Sequence, residues 1–95
     1  MHKRHSFQKI TQLFRQKATF YPRKLAVCDK STRINYLELD QRSDDFAEQL
    51  LKHHKAKPGQ PIALEYQKKS VEMMVNLLGI LKTNSPYLPI DPNLT

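Results

Sequence analysis

Carboxylates, histidines and one thiol are the side chains of this sequence with the greatest capacity for chemistry. Asp44, Asp45 and Glu48 stand close together, and Asp44 and Glu48 are four residues apart, which places both on one side of a helix. Acid–base or metal chemistry would need such carboxylates inside a cleft. The surrounding residues instead predict the polar side of an amphipathic helix, so we interpret all three as a solvated helix surface.

The histidines and the cysteine do not form a pattern typical of a metal or catalytic site. His2 and His5 have ligand-like spacing, but no cysteine or nearby carboxylate accompanies them, and the adjacent His53 and His54 point to different helix faces. We interpret all four as solvated. Cys28 has no second cysteine to pair with and follows the apolar run Leu-Ala-Val, so we expect a small buried hydrophobic residue rather than a nucleophile.

Glycine content excludes a phosphate-binding loop. The sequence has two glycines, Gly59 and Gly79, and forms neither a GxGxxG nor a GxxxxGK pattern. No loop can therefore direct several bare backbone amides at a phosphate. We assign no catalytic, cofactor-binding or metal-ligating residue to this chain.

The net charge of +7 is concentrated in the first third of the chain. Residues 1–33 contain nine Lys or Arg and one acid, Asp29, whereas residues 34–95 contain seven basic and eight acidic residues. Such a segment could attract nucleic acid or an anionic surface. However, its cations alternate with apolar residues at helical spacing and lack interleaved exposed aromatic residues for base stacking. We favour a solvated helix face, and nucleic-acid binding is the weaker alternative.

Neither a membrane span nor a signal peptide is predicted. Charged or polar residues interrupt every apolar run within a few positions, and the basic N-terminus is not followed by an apolar core. A hydrophobic fraction of 39% and a charged fraction of 26% are typical of one soluble domain. We therefore expect a cytoplasmic protein with no membrane partner.

Helix and strand signals alternate along the chain. Ser6 is expected to cap a first helix that ends near Ala18, ahead of Tyr21-Pro22, because the residue before proline avoids the helical conformation. Two short apolar segments, 25–28 and 34–36, flank turn residues and predict a β-hairpin.

The second half of the chain predicts two helix–strand units. Asn35 is expected to cap a second helix, with Glu38 completing a capping box. A strand follows at 61–66, and Ser70 is expected to cap a third helix, whose broad apolar arc makes it the most buried. Asn84 suits the left-handed conformation that ends a helix.

A final strand at 87–90 and a turn at Asp91-Pro92 complete the predicted order. The fold class is therefore α/β: an N-terminal helix, a short β-hairpin, and two helix–strand units whose strands pair in parallel.

Two short motifs flank the second and third helices. Residues 34–39 (INYLEL) resemble the first core motif of adenylation domains, which reads Leu, Ser or Thr, Tyr, any residue, Glu, Leu. Residues 81–92 (LKTNSPYLPIDP) resemble the second, LKAGxAYVPIDP, with Asn84 in place of its glycine and Thr83 and Pro86 in place of its alanines. The resemblance covers residues 7–95 and is closest to the amino-acid-activating domains of nonribosomal peptide synthetases.

The resemblance implies a partial N-terminal lobe of the adenylate-forming fold at 7–95, preceded by a disordered basic tail at 1–6. Complete members use ATP and magnesium to convert an amino or other carboxylic acid into an acyl-adenylate. Their phosphate loop, metal-holding carboxylates and catalytic lysine lie beyond both motifs. The resemblance therefore implies a truncated or split adenylation domain that is inactive alone and binds no cofactor itself.

Its partner would be the remainder of the domain or a second copy of the chain. The alternative is a small interaction module that docks through an exposed sheet edge or the basic N-terminal face.

Overall fold

A computed structural model describes residues 3–53, 57, 59–65 and 70–90. The helices and strands of this part of the chain follow the predicted order: α1 Lys3–Phe20, β1 Leu25–Cys28, β2 Arg33–Asn35, α2 Tyr36–Lys52, β3 Ile62–Glu65, α3 Val71–Lys82 and β4 Tyr87–Ile90. The predicted turn at Asp91-Pro92 lies outside the described residues, as do His2 and His54. None of the described helices is long and apolar enough to cross a membrane.

Helix α1 is longer than predicted at both ends. It begins at Lys3, so Ser6 lies within the helix and the prediction that Ser6 is its N-cap was wrong. It ends at Phe20 rather than Ala18, because proline restricts only Tyr21, whose amide still donates to the carbonyl oxygen of Lys17 at 2.7 Å. The helix also includes residues 3–6, and the division of the chain into a tail and a lobe stays a prediction.

Helix α2 begins as its sequence predicts. The amide of Glu38 donates to Oδ1 of Asn35 at 2.8 Å, and the amide of Asn35 donates to Oε1 of Glu38 at 3.0 Å. This reciprocal pair satisfies two amides that the first helical turn leaves without partners. The predicted capping box is confirmed.

Helix α3 connects the two parallel strands. The amide of Met73 donates to Oγ of Ser70 at 3.1 Å, which confirms the predicted N-cap. Asn84 ends the segment with a φ of 63°, the predicted left-handed conformation. The chain then enters β4, which pairs in parallel with β3 from Ile62 opposite Tyr87. Strands β1 and β2 form the predicted antiparallel pair.

The core lies between α3, α2 and the hairpin. Its cluster of buried side chains consists of Ile34, Leu39, Val71, Val75 and Leu78, with Phe14, Ala26 and Val27 packed against it. Helix α3 has more buried residues than the other described helices, as its broad apolar arc predicts. In α1 only part of the predicted apolar face is covered, since Ile10 and Leu13 remain exposed.

One side chain of the hairpin is more exposed than the sequence predicts. Cys28 is exposed, so the expectation of a buried residue was wrong. It is the last residue of a short strand and borders an open, mainly apolar groove of about 470 Å³ beside Met73 and Leu77. Tyr36, the first residue of α2, is half-buried.

Helices α2 and α3 approach closely at Gly79. A Cβ atom at this position would lie 2.8 Å from Cδ2 of Phe46 and 3.0 Å from the carbonyl oxygen of Ser43. Both distances are shorter than ordinary van der Waals contact, so a glycine is what allows the two helices to pack together.

Candidate functional site

The residues of the first motif are mainly structural. Ile34 in β2 and Leu39 in α2 are each 1% exposed and belong to the core. Asn35 and Glu38 form the capping box described above. These side chains are engaged by the protein itself, so the first motif fixes where α2 begins and how it packs.

A cluster of four charged side chains connects the first motif to the second. We call Arg15, Asp40, Asp44 and Lys82 the ion-pair cluster. Asp40 directly follows the first motif, and Lys82 belongs to the second. The Nζ atom of Lys82 lies 2.7 Å from Oδ1 of Asp40 and 2.8 Å from Oδ1 of Asp44, and it donates to the carbonyl oxygen of Asp40 at 3.1 Å.

Arg15 adds α1 to the cluster. Its Nη2 atom lies 2.7 Å from Oδ1 of Asp44, and its Nε atom lies 3.5 Å from Oδ1 of Asp40. The Lys82 side chain is 7% exposed, whereas that of Arg15 is 56% exposed. Buried charges need such partners because removal from water is costly. The cluster therefore binds three helices together and carries no net charge.

Sequence reasoning recognised the carboxylates of α2 but not their partners. Asp45 is exposed, and Glu48 pairs only weakly with Lys52 at 3.7 Å, which agrees with a solvated helix surface. Asp44 differs, because it contacts both cations of the cluster. The available signal was the four-residue spacing of Asp40 and Asp44, which places two carboxylates on one helix side.

Asp29 has a second long-range role. Its Oδ2 atom accepts the amide of Val71 at 2.9 Å, and its Oδ1 atom accepts the amides of Ser31 and Thr32, each at 2.8 Å. The hydrogen bond from Val71, followed by that from Ser31, lowers the pKa of Asp29 below that of a free aspartate. One carboxylate thus shapes the hairpin turn and holds the start of α3 against it.

The basic segment exposes two aromatic side chains. Phe20 is 72% exposed and Tyr21 is 52% exposed, and the ammonium groups of Lys17 and Lys24 lie over the Tyr21 ring at 5.3 and 5.5 Å from its centroid. The expectation that no exposed aromatic residue accompanies these cations was therefore wrong. Helical spacing did not reveal this, because α1 continues to Phe20, two residues beyond its predicted end.

Among the described residues, no group of three His, Cys, Asp or Glu side chains is arranged to hold a metal ion. An open groove of about 660 Å³ beside the cluster is lined by Thr11, Gln12, Arg15, Asp44, Ala47, Glu48, Leu51, Lys52 and Lys82. Lys82 lies at this groove with its ammonium group paired to the carboxylates of Asp40 and Asp44.

Curated relatives of this chain are nonribosomal peptide synthetases. It is 46% identical over 82 residues to nonribosomal peptide synthetase dtxS1 of Metarhizium robertsii, covering 86% of the chain and 1% of that protein. It is 37% identical over 86 residues to a linear gramicidin synthase of Brevibacillus parabrevis, covering 90% and 2%. It is 34% identical over 90 residues to a surfactin synthase of Bacillus subtilis, covering 95% and 7%. The chain thus spans a small fraction of each relative.

Solved structures share the fold. The N-terminal subdomain of NpsA from Klebsiella oxytoca superposes with a TM-score of 0.78 at 20% identity, covering 88% of this chain and 22% of that one. The N-terminal domain of FACL13 from Mycobacterium tuberculosis gives 0.75 at 27% identity, covering 90% and 22%. The family of AMP-binding enzymes matches residues 14–95. The chain therefore belongs to the AMP-binding enzyme family and is similar to the adenylation domains of nonribosomal peptide synthetases.

Proposed function

We propose that these residues are one part of an adenylation domain that activates an amino or other carboxylic acid with ATP. The family match over residues 14–95 is the observation that carries this proposal. The amino-acid class of substrate is supported by the relatives, which are named as synthases of linear gramicidin and surfactin. ATP is abundant in the cytoplasm, and a cytoplasmic location belongs to the same proposal.

The contribution of residues 1–95 to that domain is structural. Ile34 and Leu39 are buried in the core, and Lys82 of the second motif is paired with Asp40 and Asp44. The sequence also lacks a glycine-rich loop that could surround a phosphate. ATP and magnesium would therefore be held by other residues of a complete member, and the 95-residue chain alone is inactive.

Calorimetry and a reaction assay test this proposal together. The chain is titrated with ATP and magnesium, and pyrophosphate exchange is measured with a panel of amino acids. We expect no saturable heat below about 1 mM ATP and no exchange above the background rate. Tight ATP binding or robust exchange by the 95 residues would refute the structural role.

The outer edges of the β3–β4 sheet support the proposal that the remainder of the domain is a partner of this chain. Among the described residues, β3 and β4 pair only with each other, which leaves the outer side of each strand for further backbone pairing. Adding a polypeptide that contains the rest of an adenylation domain should restore exchange and produce a complex in light scattering. If the chain is monodisperse and does not bind that polypeptide, the result would instead favour an independent interaction module.

A further inference from the structure

Large apolar side chains are exposed around the turn between α1 and β1. Several such side chains lying together mark an interaction surface more reliably than a single one does. The turn and the first residues of α2 contribute Phe20, Tyr21, Leu25 and Leu37, each of them exposed. These side chains are not packed in the apolar core, so a partner could cover them.

Backbone hydrogen bonds keep these residues close together. The amide of Leu37 donates to the carbonyl oxygen of Pro22 at 3.1 Å, and the amide of Lys24 donates to the carbonyl oxygen of Tyr21 at 3.1 Å. Leu25 pairs with Asn35 in the antiparallel ladder. The end of α1, the turn, β1 and the start of α2 thus form one backbone framework. Such preorganisation lowers the entropic cost of binding.

Unpaired cations surround the apolar residues. Lys17, Arg23 and Lys24 are exposed, and none of them lies within ion-pair distance of a carboxylate in the described part of the chain. The nearest acidic residue in the sequence, Asp29, uses its carboxylate to accept backbone amides. Glu38, which follows Leu37, likewise uses its carboxylate to accept the amide of Asn35. The three cations are thus not ion-paired within the described part of the chain, and they give the surface an excess of positive charge.

We propose that this basic–apolar patch, formed by Phe20, Tyr21, Leu25, Leu37, Lys17, Arg23 and Lys24, binds an acidic segment of another protein. Aspartate or glutamate side chains of that segment would pair with the three cations, and large apolar side chains between them would cover the exposed apolar residues. Charge complementarity of this kind selects partners and accelerates their association. Aromatic side chains such as Phe20 and Tyr21 are typical of residues that contribute most to binding.

The contacts of Tyr21 favour a protein segment over a nucleic acid. Lys17 and Lys24 already place their ammonium groups over its ring, so a base that stacks on Tyr21 would compete with these contacts. Leu25 and Leu37 are aliphatic and provide no surface for base stacking. Both leucines can instead pack against the apolar side chains of a peptide.

Fluorescence anisotropy tests the proposal directly. The probe is a labelled peptide that carries Leu and Phe at helical spacing, separated by Asp and Glu, and it is titrated with the 95-residue chain. A second peptide has Asn and Gln in place of every acid. We expect saturable binding of the acidic peptide, at least about tenfold weaker binding of the neutral one, and weaker binding at high salt.

Matched variants locate the site. Phe20→Ser, and separately the double change Lys17→Gln with Lys24→Gln, should each weaken binding about tenfold or more. The controls are Leu88→Ser, an exposed leucine of the other sheet, and Lys52→Gln, an exposed lysine at the far end of α2 from Leu37. Circular dichroism would confirm that each variant remains folded.

Four results would overturn the proposal. Equal binding of the neutral and acidic peptides would remove the role of charge, and equal weakening by the control variants would remove the assigned location. Tighter binding of an oligothymidine of matched charge would indicate a nucleic-acid surface. Concentration-dependent self-association without peptide binding would indicate a second copy as the occupant.

Discussion

Lys82 and Asp40 are 42 residues apart in the sequence, yet their Nζ and Oδ1 atoms are 2.7 Å apart. Lys82 occupies the last turn of α3, within the second motif, and Asp40 follows the first motif in α2. The same ammonium group also donates to the backbone carbonyl oxygen of Asp40 at 3.1 Å. This pair links the end of the first motif segment directly to the second motif.

Replacing Lys82 with methionine should therefore destabilise the protein substantially. The change keeps most of the side-chain length but leaves Asp40, which is 16% exposed, without its buried partner. We expect a loss of about 2–4 kcal/mol in the free energy of unfolding, measured by urea titration. The matched control is Lys52→Met, because Lys52 pairs with Glu48 at 3.7 Å in an exposed position and should cost about 0.5 kcal/mol or less. Similar losses in both variants would contradict a special role for the cluster.

Gly79→Ala should also destabilise, although alanine favours helix formation. The added Cβ would lie 2.8 Å from Cδ2 of Phe46 and 3.0 Å from the carbonyl oxygen of Ser43, so α2 and α3 would have to separate. The packing cost exceeds the gain in helix propensity, and we expect a net loss of about 1–2 kcal/mol in thermal or urea unfolding. Glu72→Ala, at an exposed position of the same helix, should change stability by less than about 0.5 kcal/mol. A stabilised Gly79→Ala variant would show that the two helices are not in close contact.

Asn84→Gly should stabilise the protein. Asn84 has a φ of 63°, and its buried Oδ1 atom has no hydrogen-bond partner among the described residues. Glycine, the residue of the family motif, removes the unpaired acceptor and adopts this conformation without strain, so we expect a gain of about 0.5–1 kcal/mol. Alanine at position 84 would have to adopt the same positive φ, which is unfavourable for a residue with a Cβ atom. Asn84→Ala should therefore be about 1–2 kcal/mol less stable than Asn84→Gly. Equal urea midpoints for the two variants would mean that the backbone relaxes at this position.

Asp29→Asn should reduce stability in a pH-dependent manner. The amide of Val71 lowers the pKa of the carboxyl group in the folded protein. The contribution of this carboxylate to the free energy of unfolding is therefore complete above the pKa of an unfolded aspartate, about 4. That contribution is lost as pH falls through the lower pKa of the folded state. The urea midpoint of the variant should be below that of the wild type at pH 7, and the two should converge towards acid pH. Asp45→Asn is the control, since Asp45 is exposed and accepts no hydrogen bond in the described part of the chain. A difference between Asp29→Asn and the wild type that persists undiminished at acid pH would point to a steric effect.

Short-range patterns of the sequence were sufficient for the order of elements and for the start of two helices. The capping residues Asn35 and Ser70, and the left-handed Asn84, act on backbone atoms only a few positions away. Such interactions depend on residue type and spacing, which the sequence displays directly. The motifs identified the family for the same reason, because each is a continuous run of residues.

Only the tertiary structure decided which distant groups meet and which remain exposed. The partners Lys82 and Asp40, and likewise Val71 and Asp29, are separated by 42 residues and come together because α3 packs on α2 and the hairpin. The exposure of Cys28 and of Phe20 depends equally on what packs beside each residue. An apolar side chain carries the same local signal whether a neighbour covers it or not, so burial and long-range pairing are set by the packing of complete elements.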